Sequence, residues 1–413
     1  MRVLFTVFPA TAHVQPIVPL AWALQNAGHQ VRVAIHPDAV DLVTSAGLAA
    51  VPVGPQDHLQ HVIACNSDIE KLDMLDDALA LDTASDERWE QQWLQLTRIL
   101  SVFTPVLPDL VELARDWQPD LVLWDPFCVP AAVAATAAGA AHARILWGRD
   151  NIAWFRARSV ERLAAGAEDP VRALMAPLLE PYGLPYTEEL LLGQWTVDPM
   201  PPGLRLPVDL PYLPIRRVPY NGAAVLPSWA VARPAVPRVC LTLGVGGRGH
   251  QVFQESGVSF AELVEALSRL PIELVAAVDG KQRATVAQVP DNVHLIDYLP
   301  LNHLLPTCAA IVHHGGGGTF ATAVAHQVPQ CVIPMNFWNE SAIGAYVVEH
   351  GAGIRIEPRE LTAERLTREL TALLADPAHA AGAAALHREL LSTPGPAEVL
   401  PLLEELTRRH RAG

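Results

Sequence analysis

Lysine is almost missing from this 413-residue chain: only Lys71 and Lys281 occur, and arginine carries the rest of the positive charge. The formal net charge is -15, and without grouped basic side chains there is no footprint for a nucleic-acid backbone, so a nucleic-acid partner is excluded. Cysteine is sparse as well. Cys65, Cys128, Cys240, Cys308 and Cys331 are dispersed, form no C-x-x-C and fall at no Cys/His metal spacing, a set that reads as buried thiols in a reducing compartment. No apolar run reaches the ~20 residues of a membrane span, and the N-terminal run at 3–8 is too short for a signal core. A soluble, cytoplasmic protein is the expectation.

What the chain has in quantity is apolar residue, 50% of the total, over a length that allows two separate cores. Residues 3–8 form a continuous β-rich run, as in a strand buried on both faces of a parallel sheet. Residues 17–26 predict a helix stopped by Gly28, and 31–35 a second strand. This order places His13 in a loop beyond a strand's C-terminal end, where open α/β sheets bind ligands. Residues 121–124 predict a strand that ends at Asp125, with a small-residue helix over 130–138 behind it and another strand at 143–147. Two stretches break the alternation. Residues 57–118 carry an acidic patch (Asp68, Glu70, Asp73, Asp76, Asp77) and then a helix-like segment, and 149–205 mix helix with proline and aromatics. Both read either as walls of a binding site or as solvated helical insertions.

Prolines recur from Pro207 to Pro237, as in a semi-rigid connection between domains. A second α/β unit then opens with a strand at 239–243, followed by strands at 273–278, 293–296, 309–313 and 330–334. The tail over 396–411 reads as an amphipathic helix. The expected domains are 1–206, a linker at 207–237, a second domain at 238–395, and a C-terminal helix at 396–413 packing back on the first.

The stretch 311–319, I-V-H-H-G-G-G-G-T, is the hardest to explain as core. Successive glycines are entropically costly to fold and persist where backbone turns sharply or is closely approached. A strand, a glycine loop and a helix start in that order make an anion site, since first-turn N–H groups and the helix dipole favour negative charge. Phosphate is the natural guest, and an imidazole N–H of His313 or His314 can donate to it. A second glycine turn, GVGGRG at 244–249, is only a loose dinucleotide fingerprint and lacks an acidic ribose ligand. Two glycine turns around one pyrophosphate is the better reading. Adjacent histidines could instead hold a metal, yet no third ligand lies at useful spacing, and no D-x-D occurs anywhere in the chain.

The block 311–319, the following VPQCVIPMNFWNESA at 328–342 and EHGAG at 349–353 resemble the nucleotide-sugar signature of GT-B glycosyltransferases of the UDP-glycosyltransferase superfamily. DYLP at 297–300 is similar to the segment that holds the base, and the pattern from His13 to Val31 to the acceptor domain. More narrowly, DLVLWDP (120–126), GAAHARILWG (139–148) and RRVPYNGAAVLPSW (216–229) are similar to bacterial enzymes that attach deoxysugars to polyketide antibiotics. The resemblance implies an α/β protein with two Rossmann-like domains facing across a cleft.

It also implies roles. His13 stands at the catalytic-base position and Asp125 at that of the carboxylate orienting it, although a strand-end Asp can equally cap the next turn. For the donor, it implies His314 and the backbone of Gly316, Gly317, Gly318 and Thr319 on the diphosphate, with help from Gly244 and Val245, and Leu299 on the pyrimidine. Many relatives carry Asp-Gln at the sugar where this chain has Trp338-Asn339. The apolar Trp338 either meets a sugar poor in hydroxyls or packs beneath the loop. The implied activity is inverting transfer of a deoxysugar from a dTDP-sugar to a polyketide-type aglycone, without metal and with no cofactor beyond the dTDP-deoxysugar co-substrate. An epimerase of the same fold and a UDP-hexose-dependent small-molecule glycosyltransferase are the alternatives. A cytochrome-P450-like helper protein docking on 57–100 and a homodimer are further implied partners.

Overall fold

The computed structural model describes residues 1–56, 85–163, 167–243, 248–278, 280–335 and 338–411. The chain divides into two compact units, Met1–Arg217 together with Thr393–Gly413, and Val218–Ser392.

The first unit runs β1 (Arg2–Thr6), α1 (Thr11–Asn26), β2 (Gln30–Ile35), β3 (Ala50–Pro52), α2 (Asp86–Ser101), α3 (Leu107–Trp117), β4 (Leu121–Trp124), α4 (Pro130–Ala137), β5 (Ala141–Ile145), α5 (Asn151–Arg162), α6 (Pro170–Leu179), β6 (Thr196–Asp198) and β7 (Tyr212–Pro214). Its seven strands lie in the order β3-β2-β1-β4-β5-β6-β7, every pair parallel. Such a sheet is covered on both faces, which is why β4 is buried at every position and reads as unbroken apolar sequence.

Three features differ from the sequence expectation. The first helix begins at Thr11, not near Ile17, so His13 lies in a helical first turn and not in a loop. Pro16 and Pro19 sit inside α1; read alone they argue against an earlier start, but burial of Val14, Ile17, Val18, Leu20 and Leu24 outweighs the lost donors. β6 and β7 lie within stretches expected to be insertion and linker. Pro214 is tolerated because β7 is an edge strand, where a missing N–H leaves no partner unmet in the sheet interior. Finally, α2 is seated and not solvated: Trp89 is buried against Trp154 and Phe155 at 6.1 and 4.8 Å between ring centres. The acidic patch at 68–77 lies outside the described residues.

The C-terminal helix Leu400–His410 belongs to this first unit. Leu400 and Leu403 are buried, Glu404 meets His29 at 3.0 Å, the His410 ring lies on Trp195 at 5.4 Å, and Arg411 pairs with Asp120. Arg216 donates its backbone N–H to the Pro394 carbonyl at 2.7 Å, so the outgoing and returning segments run side by side.

The second unit carries β8 (Arg238–Thr242), α7 (Phe260–Ser268), β9 (Glu273–Ala277), β10 (Val293–Ile296), β11 (Ala310–His313), α8 (Gly317–Ala325), β12 (Gln330–Val332), α9 (Glu340–Glu349), β13 (Gly353–Arg355), α10 (Ala363–Ala375) and α11 (Pro377–Ser392). Its strand order, β10-β9-β8-β11-β12-β13, repeats the winding of the first unit. One face packs on Leu263, Leu267, Leu366 and Leu370, the other on Leu299, Leu304, Leu305 and Ala323. In both units the order reverses between the first strand and the fourth, and ligands of open α/β sheets bind at that reversal, beyond the strands' C-terminal ends. Among the described residues no helix is long and apolar enough to cross a membrane.

Candidate active site

At the reversal of the first sheet, β1 and β4 are neighbours, with Thr6 opposite Trp124. The chain leaves β1 into α1 and leaves β4 at Asp125, so adjacent strands deliver His13 and Asp125 to one point. His13 Nδ1 is 2.5 Å from Asp125 Oδ2. Asp125 is only 1% exposed, and its other oxygen accepts the Phe127 backbone N–H at 2.9 Å. The carboxylate therefore caps the turn as well as holding the histidine, and both roles left open by the sequence are filled at once. A carboxylate can only accept, so Nδ1 donates to it, and in the neutral ring this tautomer makes Nε2 the lone-pair acceptor. The ring is walled by Trp147, Phe8 and Phe127 at 4.3, 4.9 and 5.8 Å, and His13 is 8% exposed. Its apolar surroundings strengthen the charge-assisted bond to Asp125.

At the reversal of the second sheet, β11 ends at His313 and the glycines follow. Gly315 adopts φ 94°, and a Cβ there would lie 2.9 Å from the Glu340 carbonyl, so glycine is required both for the turn and for close approach to α9. Gly316 caps α8. The first intrahelical bond is donated by Phe320 to Gly316, which leaves the N–H groups of Gly317, Gly318 and Thr319 at the helix's positive end. α8 starts at Gly317, within the run of glycines. His314 is buried beside these groups, with Nε2 3.9 Å from Glu340 Oε1. A Cβ on Gly316 would meet the His314 ring at 2.6 Å, so ring and loop are fitted to one another.

The two histidines separate in function. His313 is sealed: its Nε2 faces Gln330 Oε1 at 2.9 Å, its Nδ1 accepts the Gly315 N–H at 3.1 Å, and burial pulls its pKa down to about 4. It is a neutral brace for the glycine turn, while His314 borders the donor groups. Leu299 is buried at the foot of the same unit. Trp338, 3% exposed and at φ 51°, and Asn339 are buried at the start of α9. Gly244 and Val245 lie outside the described residues. Among those described, no group of three side chains suited to a metal occurs.

Sequence reasoning missed Trp147 and Glu340. Nothing in ILWG shows that its Trp stands on a histidine far away in sequence. Glu340 had one signal, a lone acid ending the apolar block 328–339. Its carboxylate accepts the Met335 N–H at 3.1 Å and so closes the loop between β12 and α9.

Residues 22–244 match the N-terminal domain, and 261–406 the C-terminal domain, of the erythromycin biosynthesis protein CIII-like family. The chain is 43% identical over 425 residues to 10-deoxymethynolide desosaminyltransferase of Streptomyces venezuelae, covering 100% of this chain and 98% of that one. It is 41% identical over 439 residues to aclacinomycin-T 2-deoxy-L-fucose transferase of Streptomyces galilaeus, covering 100% and 97%. Among solved structures, glycosyltransferase VinC in complex with dTDP superposes with a TM-score of 0.87 at 36% identity, covering 99% of this chain and 100% of that one. The chain belongs to the erythromycin biosynthesis protein CIII-like family and is a glycosyltransferase of the GT-B fold.

Proposed function

From that membership we propose that the protein transfers a deoxyhexose from dTDP to a hydroxyl of a polyketide-type aglycone, with inversion and without a metal. The observation that carries the reading is the His13–Asp125 pair, whose hydrogen bond at Nδ1 makes Nε2 the accepting nitrogen of the neutral ring. In the proposed step the acceptor oxygen attacks the anomeric carbon and its proton passes to His13 Nε2. The bond from that carbon to the diphosphate oxygen breaks, and dTDP departs with the electron pair. Asp125 stabilises the imidazolium so formed. The N–H groups of Gly317, Gly318 and Thr319, with His314, stabilise the charge gathering on the leaving diphosphate; Gly244 and Val245 are assigned there too, from sequence, and Leu299 to the base.

dTDP as the nucleotide is supported by its presence in the VinC complex, and a deoxygenated sugar by the relatives' names. Buried Trp338 beside Asn339 offers few polar groups to sugar hydroxyls, in keeping with such a sugar. A helper protein would dock on 57–100, of which residues 57–84 fall outside the described residues.

The test is a transfer assay with a dTDP-deoxysugar and a panel of macrolactone and anthracycline aglycones, product being read by mass. His13→Ala is expected to lose 10²–10⁴-fold in turnover, roughly, while its dTDP affinity stays as in the parent. Full activity in that variant removes His13 as the base. Rapid consumption of the dTDP-sugar without any aglycone overturns the transferase reading in favour of an epimerase or hydrolase.

A further inference from the structure

The segment 216–229 is one of the stretches most similar to the antibiotic enzymes, and nothing in the proposed reaction uses it. In the structure Asn221 lies against the segment assigned to the nucleobase. Its side-chain Oδ1 accepts the Asn302 backbone N–H at 2.9 Å, and its backbone carbonyl accepts the Tyr298 hydroxyl. Tyr298 and Asn302 bracket Leu299, so Asn221 holds that turn from both sides. The connection continues. Asn302 Oδ1 is 2.7 Å from His326 Nε2, and His326 is the C-cap of α8, the helix whose N-terminal groups form the diphosphate seat. An amide oxygen can only accept, so His326 donates Nε2–H to it. α8 has nine residues and spans about 13 Å. A helix of this length is stiff, so an anchor at its C-cap fixes where its N-terminus stands.

We infer that Asn221, acting through Asn302 and His326, is a positioning residue that sets the separation between nucleobase seat and diphosphate seat, so that the site selects a ligand filling both. Two side-chain bonds and one helix thereby join the two ends of a nucleoside diphosphate. This inference rests on the donor reading above. Asn221 lies in the second unit and touches none of the groups proposed to move a proton.

Calorimetric titration tests it with dTDP and with inorganic pyrophosphate, on the full chain and on Asn221→Ala, Asn221→Asp and Asn302→Ala. Asn221→Ala and Asn302→Ala are expected to weaken dTDP about tenfold, equivalent to about 1.4 kcal/mol. Asn221→Asp keeps an oxygen for the Asn302 N–H and is expected to stay within about threefold of the parent. Pyrophosphate, filling one seat only, is expected to bind all four proteins alike. Parent-like dTDP affinity in both alanine variants overturns the inference and leaves the donor reading standing. Equal loss of dTDP and pyrophosphate overturns it too, because that marks general damage. No dTDP binding by the parent defeats the donor reading itself.

Discussion

His313 and His142 are both sealed from solvent, and each has its pKa drawn down to about 4, His313 by burial and His142 by burial with a further contribution from His410. In the unfolded chain a histidine titrates near ~6.5. Between those values the unfolded state binds more protons than the folded one, so stability is complete above about pH 6.5 and falls as the pH drops toward about 4. The loss is about 3 kcal/mol for each ring once both are fully titrated. Urea midpoints recorded from about pH 7 to about pH 4.5 should fall steadily with acidification; a flat series contradicts the buried neutral state. Protonating His313 Nδ1 also removes the acceptor of the Gly315 N–H, so the glycine turn loses a bond in the same range.

Gly315 and Gly316 separate stability from binding. Gly315→Ala places a Cβ against α9 backbone at a positive φ, with an expected cost of about 1–3 kcal/mol. Gly316→Ala meets the His314 ring first, a side chain and not backbone, at a φ of -59° that alanine accepts, so it should cost less stability than Gly315→Ala and bind dTDP more weakly. Denaturant melts paired with dTDP titrations distinguish the two. The roles expected of His13, Asp125 and the glycines came from the family resemblance, but as strand-end residues Asp125 and the glycines were legible, because each follows an apolar run that announces itself. Glu340, Trp147 and Asn221 were not, because their importance lies in partners brought near only by folding.

At the scale of the element, the strands on apolar runs were legible, β12 among them, and most of the three-residue strands were not. β1, β4, β8 and β11 are continuous apolar runs, whereas β3, β6, β7 and β13 have three residues each, too few for any periodicity to show. α1 was misjudged at its start because its prolines imitate a boundary, and the cost was a misplaced His13. The C-terminal helix was visible in its leucine stripe, but the side chains that seat it, His29, Trp195 and Asp120, were not. Burying Leu400 and Leu403 contributes roughly 1.5–3 kcal/mol each. A chain ending at Ser392 should therefore lose several kcal/mol in the first unit alone. Limited proteolysis should show fragments of residues 1–217 cut faster while 218–392 stays resistant; equal resistance in both would show that the helix is dispensable.

Across the whole molecule, one winding is used twice: one sheet reversal brings His13 and Asp125 together, the other presents the backbone N–H groups of Gly317, Gly318 and Thr319. That duplication was readable from the spacing of strands and loops, and the family match spans both halves. The change from one unit to the other, at Arg217 and Val218, falls inside the proline-rich stretch 207–237, although proline density marks irregular backbone and not by itself the point where contacts change owner. The first unit in fact keeps the chain through Arg217 and takes it back at Thr393.

The second unit is thus an insertion between two pieces of the first, and this has a consequence for how the protein is made. During synthesis the first sheet emerges early but without its last helix, and it waits through the whole of 218–392 before that helix exists. The second unit is contiguous and can close as soon as it clears the ribosome, so it matures before the unit that holds His13. On the reading proposed above, the nucleotide seat is complete for that interval while the proposed base is not.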